Sequence, residues 1–352
     1  MSSSFPNEKL KKWFLSSKRD LPWRQNPTPY AVWISEVMLQ QTQVAVVIPY
    51  FNRWMQAFPS VEALAIASLE EVIKAWEGLG YYSRARHLHQ GAQYLVEHCQ
   101  GELPADEKEL KKIKGLGPYT IGAILSFAFH QKKAAVDGNV LRVLARYFQV
   151  EEDIAKTSTI KKLRDFAESI LPDEESWIFS EALIELGATI CSRKAICQKC
   201  PLKSNCQSYL HGLSDKLPIK TKAIKTQYLY RAVAIVKCGD YFLVKKGKKG
   251  EIMSDLYEFP FFEVSQEGIT FKELQENIKL HWNLSVHLLQ SLSSIEHGFT
   301  RYQARLDPCV FNCLEMSPVK DLEWLDTKSL KQKAFSSGHR RIFQSLLSLD
   351  ID

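Results

Sequence analysis

Three groups of residues in this 352-residue chain have the types and spacing that chemistry requires. The first centres on Glu36, in the run TPYAVWISEVMLQ, where Thr28–Pro29 is a helix-start pair with proline in the first turn. Val32 and Trp33 precede Glu36, and Leu39 and Gln40 follow it. Apolar neighbours three and four residues away put the carboxyl beside a hydrophobic face. A carboxyl desolvated there has a raised pKa and can act as a general acid near neutral pH. From this helix alone, a glutamate at the edge of the stripe making a surface pair is the simpler reading. Gln40, Gln41 and Thr42 then set three polar residues in a row where an amphipathic pattern alternates.

The second group begins at LKKIKGLGPYTIGAILSFAF, residues 110–129. Its pattern predicts a helix ending at Gly115, a Gly115-Leu116-Gly117 turn and a new helix opened by Pro118, a helix–hairpin–helix signature. The glycines free backbone N–H groups at a helix N-terminus, which suits a phosphate oxygen, and the preceding lysines add charge. A purely structural helical hairpin fits the same residues. Twenty residues on, AAVDGNVLRVLARYF offers Asp137 or Asn139 as a helix cap, which alone explains either residue. As a functional group, Asp137 is a carboxylate whose charged form the helix dipole favours. Glu36 neutral and Asp137 ionised form the acid-plus-anion pair used in glycosidic cleavage.

The third group is Cys191-x5-Cys197-x2-Cys200-x5-Cys206. Four of the eight cysteines crowd together while Cys99, Cys238, Cys309 and Cys313 are scattered, a pattern of metal ligation rather than stapling. A single CxxC flanked by lone cysteines at short range suits a cuboidal cluster better than zinc, although spacing leaves zinc open.

The elements that must position these residues come from two composition regimes. Residues up to about 210 read as successive helices punctuated at Pro29, Pro49, Pro59, Gly78, Gly80, Pro104, Gly115, Gly117 and Pro172. The stripe Ile160, Leu163, Phe166, Ala167, Ile170 and Leu171 is typical of them. Residues 211–228 read as a polar, basic linker on the surface. Beyond it, two short apolar runs split by Gly239–Asp240 signal a hairpin, and further strands with helices near 270–281 and 338–349 make an α+β domain over 229–352. Apolar residues are 45% and charged residues 24%, a balance that excludes disordered, collagen-like and membrane-spanning chains. Lys and Arg exceed Asp and Glu by 46 to 40, too mild an excess to identify a nucleic-acid partner. Basic clusters stand at 108–114, 216–225 and 245–249, each of which also reads as a solvated face. The N-terminal segment has lysines without an apolar core, so a cytoplasmic protein without a secretory signal is expected.

In order, LPWR (21–24), SEVMLQQTQV (35–44), GLGYYSRAR (78–86), KGLGPYTIGAILS (114–126), VDGNVLRVLAR (136–146), EALIELGATIC (181–191) and the four cysteines resemble the adenine DNA glycosylases of the MutY family. The resemblance spans about residues 8–210. It implies an all-α helix–hairpin–helix glycosylase domain over 1–210, one 4Fe–4S cluster on Cys191, Cys197, Cys200 and Cys206, and excision of adenine mispaired with 8-oxoguanine or guanine in double-stranded DNA. Glu36 is then the acid that protonates the leaving adenine. Asp137 stabilises the sugar oxocarbenium ion, with Tyr119 and Asn139 in support. Arg19, Trp23, Arg24 and Glu181 border the flipped base, Gln41 and Tyr81 wedge into the stack, and Gln40, Thr42, Gly115 and Gly117 also meet DNA. A base must leave the duplex before a buried acid can reach it. MSDLYEFP (253–260) and EHGFTRY (296–302) resemble the same family's Nudix-like domain. No membrane partner and a monomeric state are expected.

Two departures from the family pattern stand out. Cys191 and Cys197 enclose five residues where six are usual, which tightens the first loop. The family's Phe-Ser-His turn appears as Phe299-Thr300-Arg301, so a fixed cation replaces a neutral ring at the lesion contact. No clustered Nudix-box carboxylates follow the glycines of 229–352, which argues against phosphohydrolase chemistry. The rival within the fold is a glycosylase–lyase resembling endonuclease III, but that chemistry needs a lysine amine where Tyr119 stands. A non-catalytic iron–sulfur protein that grips DNA and a zinc-bearing RNA-binding module are rivals of other classes.

Overall fold

The computed structural model describes residues 5–221 and 226–348. They form two compact units: 5–66 with 87–221, and 67–86 with 226–348. The grouping of 67–86 with the later part of the chain is invisible to helical periodicity. Residues 222–225 of the expected linker and basic cluster lie outside the described residues.

The described part of the first unit contains helices and turns and no strand. Thr28 caps the helix Pro29–Leu39 by accepting from the Ala31 N–H at 3.2 Å, with Pro29 in its first turn. Every residue from Tyr30 to Met38 is buried, so this helix has no polar face. Glu36 is 6% exposed, and the surface-pair reading fails for that reason. Pro49 does not punctuate the chain as expected. The helix Val44–Ala57 runs through it, with Pro49 on the exposed side. A proline there forfeits one backbone donor without displacing buried neighbours.

The helical hairpin is shorter than its sequence implied. Its first helix is the single turn Glu107–Leu110, capped by Asp106, and the chain then turns through 111–117. Lys111 and Lys112 pair with Glu107 at 2.6 Å and Glu109 at 2.7 Å, so part of the expected basic face is internally neutralised. Gly115 has φ 89°, and a Cβ there would lie 2.6 Å from that of His87, so conformation and packing both require glycine. Gly117 caps the helix Pro118–Ala123, which passes into a π-helical turn, Ile124–Ala128. Packing behind these elements rests on a core that includes Phe14, Val140, Leu144, Leu163, Phe179 and Leu183.

The helix Gly138–Tyr147 carries Arg146, 3% exposed, into the loop that bears the cysteines. Its guanidinium donates to the carbonyls of Leu217 (2.7 Å), Ser192 (2.6 Å) and Arg193 (3.1 Å). The described start of the linker therefore packs on this unit, with Leu217 buried and the Ile154 N–H donating to the Ile219 carbonyl at 2.9 Å.

The second unit is a mixed sheet with helices. Strand β1 (Gln227–Cys238) runs parallel to β7 (Tyr302–Cys313), and these form its centre. Strands β2 (Tyr241–Lys246), β3 (Tyr257–Glu258), β4 (Phe261–Val264), β5 (Val286–Ser291), β6 (Ile295–Phe299) and β8 (Glu323–Asp326) pair antiparallel around them. Gly239, at φ 56°, makes the expected β1–β2 turn. Helices Phe271–Trp282 and Ser337–Leu347 complete the unit much as expected, together with a short helix, Thr327–Gln332, that the sequence pattern does not mark. Segment 67–86 joins through Glu77, which accepts from the Phe335 N–H at 2.9 Å and Arg340 Nε at 2.6 Å. Among the described residues no helix is long and apolar enough to cross a membrane.

Replacing Arg146 with methionine removes the donor to three carbonyls, of which that of Leu217 is buried and those of Ser192 and Arg193 are part-buried. The expected loss is about 3 kcal/mol, read as a fall in the chemical denaturation midpoint of the full chain.

Candidate active site

The first unit contains a cavity of about 600 Å³, within the size range of small-ligand sites. Glu36, Gln40, Gln41 and Thr42 line it from the helix Pro29–Leu39 and its end, and Arg19, Trp23 and Arg24 from the preceding segment. Gly117 and Tyr119 come from the hairpin, Asp137 and Asn139 from the next helix start, and Glu181 from the helix Ser176–Thr189. Gly115 is turned against His87 instead. Tyr81 and residues 299–301 belong to the second unit.

Tyr119 donates its hydroxyl to Glu36 Oε2. Burial pushes the Glu36 carboxyl up to about 7; the Tyr119 hydrogen bond opposes this, the charges of Asp137 and Glu181 add to it, and Arg24 draws it down. Asp137 caps its helix, accepting from the Val140 N–H at 2.8 Å and from Asn139 Nδ2 at 2.7 Å. The expected dominance of the helix N-terminus does not hold here. Burial outweighs the cap and the Asn139 bonds, and the Asp137 carboxyl sits above the ordinary aspartate value. The groups opposing burial differ: N–H groups of Val140 and Asn139 and nearby Arg142 favour the Asp137 carboxylate, whereas the Tyr119 phenol and Arg24 favour that of Glu36.

Asn139 is itself fixed. Arg142 Nη2 donates to Asn139 Oδ1 at 2.8 Å and to the Gly187 carbonyl at 2.9 Å, and its Nε donates to the Cys191 carbonyl at 2.8 Å. At Gly187 a Cβ would lie 2.6 Å from that of Asn139, so glycine permits this close approach. The neutral amide of Gln40 donates to Thr120 Oγ1 at 3.2 Å. Gln41 and Tyr81, in their separate units, both have left-handed backbones, with φ 59° and 50°, and both are exposed.

The opposite wall is ionic. Arg24 Nε meets Glu181 Oε2 at 2.9 Å, and Arg24 Nη2 meets Glu185 Oε2 at 2.9 Å. Arg19 grips Glu185 through Nε at 2.6 Å and Nη2 at 3.0 Å. Trp23 is buried edge-on against Phe51, with centroids 5.4 Å apart. Glu185, Arg142 and Arg146 escaped the sequence reading. A second acid one turn after Glu181 on an apolar helix was the available signal for Glu185.

In the second unit, Thr300 at φ 49° and Arg301 form the two-residue turn between paired Phe299 and Tyr302. Arg301 Nη2 contacts the Tyr302 hydroxyl at 3.1 Å, and its guanidinium lies 5.3 Å from that ring's centre.

Cys191, Cys197, Cys200 and Cys206 are free thiols lining one small pocket with Arg146, Ile190 and Tyr209. The five-residue loop thus still brings Cys191 to the other three. Among the described residues, no three His, Cys, Asp or Glu side chains are arranged to hold a single metal ion. Four thiols lining one shared pocket are a donor set that fits an iron–sulfur cluster.

Residues 34–169 match the HhH-GPD superfamily base excision DNA repair protein family, and residues 231–345 match the NUDIX domain family. An adenine DNA glycosylase of Rattus norvegicus is 32% identical over 95% of this chain and 76% of its own length. One from Buchnera aphidicola subsp. Acyrthosiphon pisum is 33% identical over 83% of this chain and 82% of its own. Among solved structures, a thermostable thymine-DNA glycosylase aligns over 58% of this chain and 95% of its own, with a TM-score of 0.53 and 27% identity. With identity at this level extending across most of the rat and Buchnera proteins, the chain belongs to the adenine DNA glycosylase family.

Proposed function

We propose that this protein removes adenine from double-stranded DNA in which adenine faces 8-oxoguanine or guanine, acting as a monofunctional hydrolase and a monomer. The observation that carries this reading is the Glu36 carboxyl, pushed up to about 7 by burial in the same cavity as Asp137. At neutral pH a large fraction of Glu36 holds a proton that it can give to a ring nitrogen of the leaving adenine. As the bond from the base to C1′ breaks, positive charge grows on the sugar, and the Asp137 carboxylate stabilises it. Water then adds at C1′, its proton passing to a carboxylate, to give free adenine and an abasic sugar.

Other residues take supporting parts in this scheme. Tyr119 holds the Glu36 carboxyl, and Asn139 holds that of Asp137. Arg19, Trp23, Arg24 and Glu181 border the base. Gln41 and Tyr81 fill the stack it leaves, while Gln40, Thr42 and the Gly115–Gly117 turn meet the strand. Phe299, Thr300 and Arg301 meet the opposite base. Among the described residues, none lining the cavity is a lysine, which supports hydrolysis over imine-forming lyase chemistry. One 4Fe–4S cluster on the four cysteines would close the loop 191–206 on itself, beside Arg146 of the helix Gly138–Tyr147.

Incubating the purified protein with an A:8-oxoguanine duplex, then cleaving abasic sites with alkali, should yield breaks at the adenine and fewer with A:G. Excision of 8-oxoguanine would overturn the substrate assignment. Glu36→Gln should slow excision by about 10²–10⁴-fold with duplex binding retained; a variant within tenfold of wild type would place the acid elsewhere. Because the protonated acid is the active form, the wild-type rate should fall as pH rises through the Glu36 pKa of about 7. Tyr119→Phe removes a donor that favours the carboxylate, so a carboxyl NMR titration should find Glu36 higher still. Iron analysis of anaerobically purified protein should find four irons per chain and a brown colour, with Cys200→Ser lowering soluble yield. Stoichiometric zinc without iron would defeat the cluster assignment.

A further inference from the structure

Glu185 takes no part in the reaction proposed above, yet it is a carboxylate with 0% exposure, lying behind Arg19 and Arg24, which line the cavity. Burying such a charge is costly unless it is compensated. Here the compensation is double: Arg19 binds it through two nitrogens, at 2.6 Å and 3.0 Å, and Arg24 through one at 2.9 Å. Arg24 also donates to the Arg19 carbonyl at 3.2 Å, so the two cations stand side by side. Their charges are met by Glu185 and by Glu181, which takes Arg24 Nε at 2.9 Å.

We propose that Glu185 is a positioning residue that fixes Arg19 and Arg24 and cancels their charge, so that Glu36 faces a nearly neutral wall and keeps its proton. This rests on the reading of Glu36 as the acid. The groups that act on Glu36 are Tyr119 from the hairpin helix, Asp137 from the next helix start, Glu181 from the wall helix and Arg24 from the N-terminal segment. Arg24 is the cation among them, and it favours the carboxylate. Those facing Glu185 are Arg19 and Arg24, whose hydrogen bonds and charges outweigh burial and hold it below the ordinary glutamate value, ionised at neutral pH. Removing that anion leaves two guanidinium groups opposed by Glu181 alone. The wall turns positive, and Glu36 gives up its proton at lower pH.

Single-turnover excision from an A:8-oxoguanine duplex, measured across neutral pH with full-length, iron-loaded protein, reads this directly. In Glu185→Gln the falling limb should move to lower pH by about half to one unit. Arg19→Gln, at a side chain 36% exposed, removes a cation and should move the limb to higher pH. Glu185→Asp, which keeps the charge, should restore the limb towards the wild-type position. A purely packing role would change stability or rate without opposite displacements of the limb. Unmoved limbs, or displacement of both in one direction, would overturn the proposal. If Glu185→Gln does not fold, the sign of the Arg19→Gln shift decides. A wild-type profile lacking the limb removes the Glu36 reading and this one with it, whereas a limb that stays fixed removes only the role of Glu185.

Discussion

A carboxyl raised to about 7 has to be kept from water, and burial of the helix that bears Glu36 meets that constraint in the first unit. The helix bearing it is buried on every side, which leaves the glutamate no route to bulk solvent except through the cavity. Desolvation raises the carboxyl and favours the neutral acid. It is opposed by the Tyr119 hydroxyl and Arg24, and reinforced by the charges of Asp137 and Glu181, and the balance leaves the group near 7. Neither a more exposed helix nor a more strongly cationic wall would hold it there.

The same burial acts on Asp137, which shares the cavity and whose carboxyl it raises. Its ordered donors answer that. Val140 and Asn139 supply N–H groups, and Arg142 orders Asn139 while reaching the carbonyls of Gly187 and Cys191. Arg146, one turn later on the same helix, reaches further into the cysteine loop. A single helix therefore supports the Asp137 carboxylate at its start and the four-thiol loop along its length, and the close approach at Gly187 holds its neighbour against it.

The second unit meets a different constraint. A long parallel pair at its centre needs cover on both faces, supplied by two apolar clusters, one around Val233, Phe259 and Phe343 and one around Val236, Ile278 and Phe311. Its β6–β7 hairpin projects a tight two-residue turn, and Arg301 lies along Tyr302. Segment 67–86 is held to this unit by half-buried polar contacts of Glu77 with Arg340 and Phe335.

Local chemistry made much of this legible in advance. Thr28–Pro29 starts a helix through its own cap, Asp137 caps its helix with its own side chain, Gly239 turns a hairpin by its own φ, and four crowded cysteines share a pocket. Such features depend on neighbours within a few residues, so the sequence alone determined them. What tertiary structure decided depends on residues far apart in the chain. Whether Glu36 lay at a surface was set by packing on every face of its helix. The Asp137 carboxyl rose because burial, a long-range property, outweighed a local cap. Glu185 looked like an ordinary helical acid until folding brought Arg19 and Arg24, more than 160 positions away, onto it at 2.6 Å and 2.9 Å. Sequence spacing records which groups can meet within a helix or turn; desolvation and charge balance are sums over everything that folding brings near, and only the folded chain fixes those sums.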